Sequence, residues 1–504
     1  MFTIFRGFHM VEAYHQWKKE HRSNKNPVGL KAVKLFFAIA VPLFLWLAPS
    51  AVYGLPDLNP VEHRVLAIFA FAALMWLFDV VAAWTTSLVV VVLLLFVTSD
   101  SALWFFQTDA AGEKFGNLVS NTALLHCFAD PTIMLFIGGF IIAIAATKSG
   151  LDVKLAKVML APFGTRSENV LLGFLLVTAV FSMFISNTAT AAMMLTFLAP
   201  VLKALPADGK GKIGLALAIP VGANIGGIGT PIGTPPNAIA LKFLNDPEGM
   251  DLGIGFGQWM MVMVPFTLVL LFIAWFVLRR LFPFKQKTIY LQIESHHQGG
   301  WRDTLVYVTF MVTVALWLTD SVTGVNANVV AMLPVGVLCV AGVIGKRDLE
   351  QISWSILWMI AGAFALGVAM RQSGLAQHMI EAIPFDRWSP IIIIIGSGLL
   401  CYIMANFISH TATAALFVPI LAIVGTSMAG SLAPLGGVST LLIGVAICSS
   451  LAMVLPISTP PNALADATGF ISQKYMVKTG LIMGVVGLVL GYLVLIFCGS
   501  HGVF

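Results

Sequence analysis

Two near-identical stretches decide how this chain folds: "FISNTATAAM" at Phe184–Met193 and "FISHTATAAL" at Phe407–Leu416. Each sets Ser, then Asn or His, then Thr in the middle of an apolar segment of about 40 residues, 168–206 and 390–429. Hydrocarbon offers no partners to polar groups, so irregular polar backbone is tolerated at membrane depth only inside protein or beside a wet cavity. Each segment reads as a re-entrant hairpin that enters and leaves from one side with a polar tip. Two full spans apiece are the alternative.

The surrounding composition agrees with a membrane setting. The 504 residues are 59% hydrophobic, and only 10% are charged, where a soluble domain carries about 25%. Mean hydropathy is +0.93. Apolar windows of about 20 residues, the length of a spanning helix, recur along the chain. Alternating ten-residue segments of a membrane β-barrel do not. Spans are expected at 34–50, 64–81, 83–98, 131–148, 213–243, 256–280, 304–320, 328–345, 353–370, 438–470 and 479–498. The fold class is an all-α polytopic membrane protein of about 11 transmembrane helices plus the two hairpins. Cys127, Cys339, Cys401, Cys448 and Cys498 are scattered, without the spacing of a disulfide framework or metal site. The basic start is not a signal peptide, and Met1–Trp17 has the pattern of an interfacial amphipathic helix.

An internal repeat organises the chain. "SGL" at Ser149–Leu151 returns at Ser373–Leu375, an offset of 224; Ser186 returns as Ser409, an offset of 223; "TPPNA" at Thr234–Ala238 returns at Thr459–Ala463, an offset of 225. Residues 1–33 form an N-terminal segment and 34–63 an extra helix with its loop. The first repeat is 64–281, the connector 282–303, and the second repeat 304–504. Five spans per unit make the second copy enter from the opposite face, and inverted repeats of this kind place a transporter's site at the midplane. With the N-terminus cytoplasmic, all of the 28 Lys and Arg except Arg64, Lys114, Lys242, Arg371 and Arg387 fall on the cytoplasmic side, as the positive-inside rule requires. That asymmetry explains the net charge without nucleic acid, and puts the C-terminus outside. The connector, with His296–His297, has the composition of a solvated loop.

The chemistry concentrates at two kinds of break. Ser182 and Ser186 share one helical face, and Ser-Asn-Thr follows at a helix end. "GTPIGTPPNAIA" at Gly229–Ala240 and "PISTPPNALA" at Pro456–Ala465 cannot continue a helix. Broken helices expose carbonyls that suit a small cation and N-termini that suit an anion. Isolated Ser and Thr would suit helix packing equally well; two matched copies, each followed by a Pro-Pro break, favour a site. The motifs hold no Lys or Arg, so an anion bound there needs an accompanying cation. Asp79 reads as an edge carboxylate, and Asp466 follows the second break.

The paired Ser-Asn-Thr elements, the Thr-Pro-Pro-Asn breaks and the hairpins resemble the divalent anion/sodium symporter family, carriers of dicarboxylates, citrate and sulfate, from about residue 60 to 500. The resemblance implies an inverted-repeat elevator-type transporter and a homodimer. It implies a first Na⁺ site from Ser182, Ser186, Asn187 and the Gly233 carbonyl, and an anion held by Asn187, Thr188, Ser409 and Thr411 among Thr234, Pro235, Thr459 and Pro460. The second cation site departs from the pattern. The family's Asn is His410 and its hydroxyl residue is Ala405, leaving carbonyls near Ala405–Ile408 and Ser458. Imidazole is a poor ligand for a hard cation. His410 therefore reads either as a stand-in for the second Na⁺, as fixed donor or proton carrier, or as a packing residue at the tip.

The function expected is import of a small divalent anion, a C4-dicarboxylate, coupled to Na⁺ and with H⁺ through His410 as a further option. The protein would sit in a bacterial inner membrane, with lipid and a second copy as its partners. A sodium-independent exchanger, or a sulfate carrier, is the alternative within the class. A channel or a membrane-embedded enzyme is the alternative outside it. Ser409 beside His410 looks like a nucleophile and base, but no carboxylate is placed to orient them.

Overall fold

The computed structural model describes residues 28–205, 209–247, 249–290, 300–382 and 388–504. The expected helix Met1–Trp17, the His296–His297 pair and Arg387 lie outside the described residues. Helices dominate those residues, and the only β pairing among them is three isolated bridges. Nine described helices are long and apolar enough to cross a membrane, or ten if the bent pair Ala429–Leu435 and Gly437–Ser450 is one span. Shorter apolar helices occupy Ala83–Val97, Ala327–Val340 and Ile392–Phe407. The all-helical polytopic fold is therefore as expected. Counting apolar helices is not counting crossings, because Ser167–Phe184 and His410–Ser427 are among the nine and are hairpin arms.

In the first repeat the helices used below are α1 (Pro60–Phe78), α2 (Ala83–Val97), α3 (Pro131–Lys148), α4 (Leu151–Leu160), the hairpin arms α5 (Ser167–Phe184) and α6 (Asn187–Ala204), the broken pair α7 (Gly211–Gly226) and α8 (Pro235–Leu244), and α9 (Phe256–Leu281). In the second they are α10 (Trp301–Leu318), α11 (Trp354–Ser373), the arms α12 (Ser397–Phe407) and α13 (His410–Ser427), the broken pair α14 (Gly437–Ser450) and α15 (Pro460–Ala467), and α16 (Gln473–Ser500). Local chemistry sets several starts. Asn59 caps α1, accepting from the Val61 and Glu62 amides at 3.0 Å, while Glu62 returns a bond to the Asn59 amide at 2.8 Å. Asp130 caps α3 through the Thr132 amide at 2.8 Å, with Pro131 at the first helical position. Asp79 ends α1 in the left-handed region at φ 46°.

Both ends of hairpin α5–α6 meet one segment. Ser167 donates its hydroxyl to Gln286 O at 2.7 Å and its amide to Lys287 O at 3.0 Å. Leu205, Gly209, Gly211 and Lys212 line a crevice with Phe284, Lys285 and Gln286. The base of this hairpin is thus fixed at the C-terminal end of α9. The second hairpin is fixed at the C-terminal end of α16. Tyr492 OH donates to Ile394 O at 2.9 Å in the π-turn before α12, and beyond α13 Thr440 Oγ1 donates to Leu495 O at 3.3 Å.

Helices α9 and α16 lie antiparallel. Gln258 Nε2 donates to Val503 O at 2.6 Å at one end, the Phe282 and Tyr475 rings meet at 5.4 Å at the other, and Gly487 and Gly491 face Leu270 and Phe266 between them. The two hairpin bases therefore sit at opposite ends of one helix pair. At the centre the copies interlock: α8 packs on α13 of the second hairpin, and α15 packs on α6 of the first.

Polar ties join this inner assembly to the surrounding helices. Lys242 at the end of α8 meets Asp130 at 2.8 Å, and Asp246 meets Arg371 at the end of α11. Asp320, after α10, accepts from the Phe256 amide at 2.6 Å and so caps α9 from outside.

Candidate functional site

The first hairpin tip closes on the first break. Ser182 Oγ, completely buried in α5, donates at 2.6 Å to Asn187 Oδ1 and lies 2.8 Å from Ala223 O near the end of α7. Past Ala223, a 3-10 turn at Gly227–Gly229 and a further turn lead to Pro235. Gly227 and Gly233 approach so closely that a Cβ on Gly227 would stand 2.7 Å from Asn187 Oδ1 and 3.0 Å from Gly233 O. A Cβ on Gly233 would run into Gly227 O. Only glycine fits at either place. The result is a nest of Ser182 Oγ, Asn187 Oδ1 and the Ala223 and Gly233 carbonyls, packed against Gly227. Neutral oxygens converging without Lys or Arg are the donor set of a hard monovalent cation, so the residues present fit Na⁺.

Asn237 organises the break from below. Its Nδ2 donates to Gly227 O at 3.0 Å, Ile228 O at 3.3 Å and Thr230 O at 2.8 Å. In the second copy Asn462 Nδ2 serves Met453 O at 2.8 Å and Leu455 O at 3.0 Å. The copies are joined by Asn224, whose Nδ2 reaches Thr459 Oγ1 at 3.2 Å and Asn462 Oδ1 at 3.1 Å. Asn224 Oδ1 and Asn237 Oδ1 are buried and have no hydrogen-bond partner among the described residues, which adds unpaired acceptors at the centre.

The second tip is built differently. Ala405 is completely buried and offers no oxygen from its side chain. Asn406 fills the space: its Oδ1 accepts from the Val454 amide at 2.9 Å and has Ser458 Oγ 3.4 Å away, and its Nδ2 donates to Tyr402 O at 2.8 Å. His410 places Nε2 2.9 Å from Ala452 O. A carbonyl only accepts, so Nε2 carries the proton. The backbone differs too: Ile408 has φ −101° and ψ −104°, where its counterpart Ile185 has φ −118° and ψ 149°. Ser409 Oγ caps α13 through the Ala412 amide at 3.1 Å, so Ser409 and His410 have separate partners and form no nucleophile–base pair.

The expected anion contacts cluster at helix starts. Ser186 and Ser409 cap the second arms. Asn187 and Thr188, and His410 and Thr411, occupy the first two positions of α6 and α13, whose N–H groups have no intrahelical acceptor. All but His410 are half-buried. The breaks contribute less backbone than expected. Both α8 and α15 start with two prolines, so their first amides are Asn237, donating to Thr234 O at 3.2 Å, and Asn462, donating to Thr459 Oγ1 at 3.2 Å. Thr234 is buried and Pro460 exposed. Sequence reasoning missed Asn224, Asn237, Asn406 and Asn462. The repeated "TPPNA" carried the signal for Asn237 and Asn462, but nothing in an apolar run marks Asn224 or Asn406.

Two hairpins, each closing on a broken helix, with an oxygen-lined nest in the first copy, have the build of a helical membrane transporter. The family described as sodium:sulfate symporter transmembrane region matches residues 30–501, and the chain belongs to it. It is 28% identical over 519 residues to the sodium-dependent dicarboxylate transporter SdcS of Staphylococcus saprophyticus, covering 95% of this chain and 93% of that protein. An uncharacterized transporter of Haemophilus influenzae is 30% identical, over 85% of this chain and 90% of its own. The crystal structure of the Alcanivorax borkumensis YdaH transporter superposes with a TM-score of 0.54 at 12% identity, over 87% of this chain and 98% of that one. That likeness concerns fold alone. The chain is an integral membrane transporter of this family.

Proposed function

We propose that the protein imports a C4-dicarboxylate coupled to Na⁺. The observation that carries this reading is the oxygen nest of Ser182, Asn187, Ala223 and Gly233, which opens beside the half-buried Asn187 and Thr188. Na⁺ there supplies the positive charge that the anion-facing groups lack. The dianion is gripped by the α6 and α13 N-termini with Asn187, Thr188, Ser409 and Thr411, and is flanked by Thr234, Pro235, Thr459 and Pro460. Ser186 serves the nest indirectly, by capping α6 through the Ala189 amide at 3.3 Å. The working unit is a homodimer in a bacterial inner membrane, with the N-terminus cytoplasmic and both hairpins moving as one body. The relative SdcS, named a sodium-dependent dicarboxylate transporter, supports the choice of ion and substrate.

The decisive experiment is uptake of radiolabelled succinate into proteoliposomes, with Na⁺, pH and membrane potential varied separately. Saturable uptake that stops when choline replaces Na⁺ is expected. Uptake of sulfate with succinate excluded would move the substrate, not the mechanism. A second reading, sodium-independent exchange, draws on the altered second tip and is tested by succinate counterflow without Na⁺. Engagement of His410 Nε2 with Ala452 O supports a fixed donor over a proton carrier. A pH profile of transport that changes in His410→Asn would restore the proton.

A further inference from the structure

The two tips are related residue by residue, and the comparison shows what became of the second cation site. Hairpin positions match at an offset of 223 and break positions at 225. Where the first copy has Ser182, Met183 and Asn187, the second has Ala405, Asn406 and His410. Where the first has Gly227 and Gly233, the second has Ala452 and Ser458. A methyl group at Gly227 would press on Asn187 Oδ1 and Gly233 O. The second copy carries that methyl as Ala452 and a hydroxymethyl group as Ser458.

The oxygens are spent as well. Ala452 O, counterpart of the Gly227 carbonyl, accepts from His410 Nε2 at 2.9 Å. Ser458 Oγ donates to Leu455 O and accepts from the Leu455 amide, each at 2.8 Å. Asn406 Oδ1 accepts from the Val454 amide at 2.9 Å and has Ser458 Oγ 3.4 Å away. Gly227 O also accepts a bond, from Asn237 Nδ2 at 3.0 Å, so what sets the second tip apart is that His410 brings an N–H donor where Asn187 brings the acceptor Oδ1, and Ala405 brings no oxygen where Ser182 brings Oγ.

We infer that this chain's own side chains close the second cation site, so that the protein binds at most one Na⁺, the one at the Ser182–Asn187 nest. The inference rests on the proposed Na⁺ reading only for that first ion; closure of the second site stands without it. A consequence for the substrate follows. A dianion with one Na⁺ moves as a net charge of −1, and 100 mV inside-negative disfavours its net entry about fifty-fold. Exchange of one dianion for another moves no net charge and escapes that bias.

Equilibrium binding of ²²Na⁺ to the purified full chain, without substrate, tests the inference. One ion per chain is expected, bound about tenfold more weakly in Ser182→Ala. Two ions per chain, or an unchanged Na⁺ affinity in Ser182→Ala, overturn it. No bound ion would remove the Na⁺ reading of the first nest and leave the closure standing. The variant Ala405→Ser/Asn406→Met/His410→Asn/Ala452→Gly/Ser458→Gly rebuilds the first copy's residues and is expected to gain one ion. If it does not fold, the wild-type count decides. In proteoliposomes at a fixed Na⁺ gradient, net succinate uptake is expected to fall as the interior is made more negative, while succinate counterflow is expected not to change.

Discussion

At Gly227 and its counterpart Ala452 the two halves of this protein differ by one methyl group. Gly227→Ala would set a Cβ against Asn187 Oδ1 and Gly233 O, and overpacking of that kind costs about 1–3 kcal/mol. Loss of Na⁺-stimulated uptake is expected, with a lowered melting temperature in detergent. Ala452→Gly, at the matched position, is expected to leave Na⁺ stimulation unchanged. Ser182→Ala removes the hydroxyl that steadies Asn187 Oδ1, a net loss of about 1–2 kcal/mol. The Na⁺ concentration for half-maximal uptake should rise about tenfold, read from succinate uptake at stepped Na⁺. At this scale the repeated element brought Asn187 and His410 forward in the sequence and the four-residue spacing to Ser186 brought Ser182, while Gly233 and Ala405 came only through the resemblance to the symporter family. Asn406 was not legible, since its counterpart is Met183 and its carboxamide matters only through Val454 and Ser458, which come near it only when the chain folds.

At the scale of an element, each break is a helix interruption stabilised by one asparagine. Asn237→Ala would take a donor from the Gly227, Ile228 and Thr230 carbonyls; Ile228 O keeps Trp259 Nε1 at 3.0 Å and Thr230 O the Gly233 amide at 3.3 Å, so Gly227 O carries most of a cost of about 1–3 kcal/mol. The melting temperature should fall, and Na⁺ should restore part of it by neutralising the freed oxygens. The Pro-Pro pairs made the breaks visible in sequence. They also hid their own limit: proline has no N–H, so the half-helices α8 and α15 give an anion a dipole but few direct donors. Away from the spans, Asp152 near the start of α4 has its carboxyl pushed up by burial, despite the Val153 amide that favours the charged form. A folded-state value raised above the unfolded one means stability is present at low pH and lost as pH rises through it. Asp152→Asn is therefore expected to gain in relative melting temperature as pH is raised from the ordinary carboxylate range, about pH 4, to pH 8, measured by differential scanning fluorimetry.

For the molecule as a whole, the repeat spoke to the arrangement of the hairpins and the charge asymmetry only to sidedness. Three signatures at nearly one offset implied opposed hairpins, and the structure anchors their bases at opposite ends of α9 and α16. Sidedness in the membrane is a separate matter and has its own test. In a background without native cysteine, Ser500→Cys should react with an impermeant maleimide in intact cells, and Lys285→Cys only after permeabilisation. The reverse pattern would invert the topology. The interlocking of α8 with α13 and of α15 with α6 was not legible, because periodicity within one segment says nothing about which distant segment it meets.

Fastening the two hairpins to the two ends of a single antiparallel rod gives them a shared fate. Slide the rod along its length and one hairpin's footing nears its own membrane surface while the other's retreats by an equal distance. If the hairpins gate the proposed carrier, two doors hung on one bar in this way would not stand ajar together, with no signal passed between them.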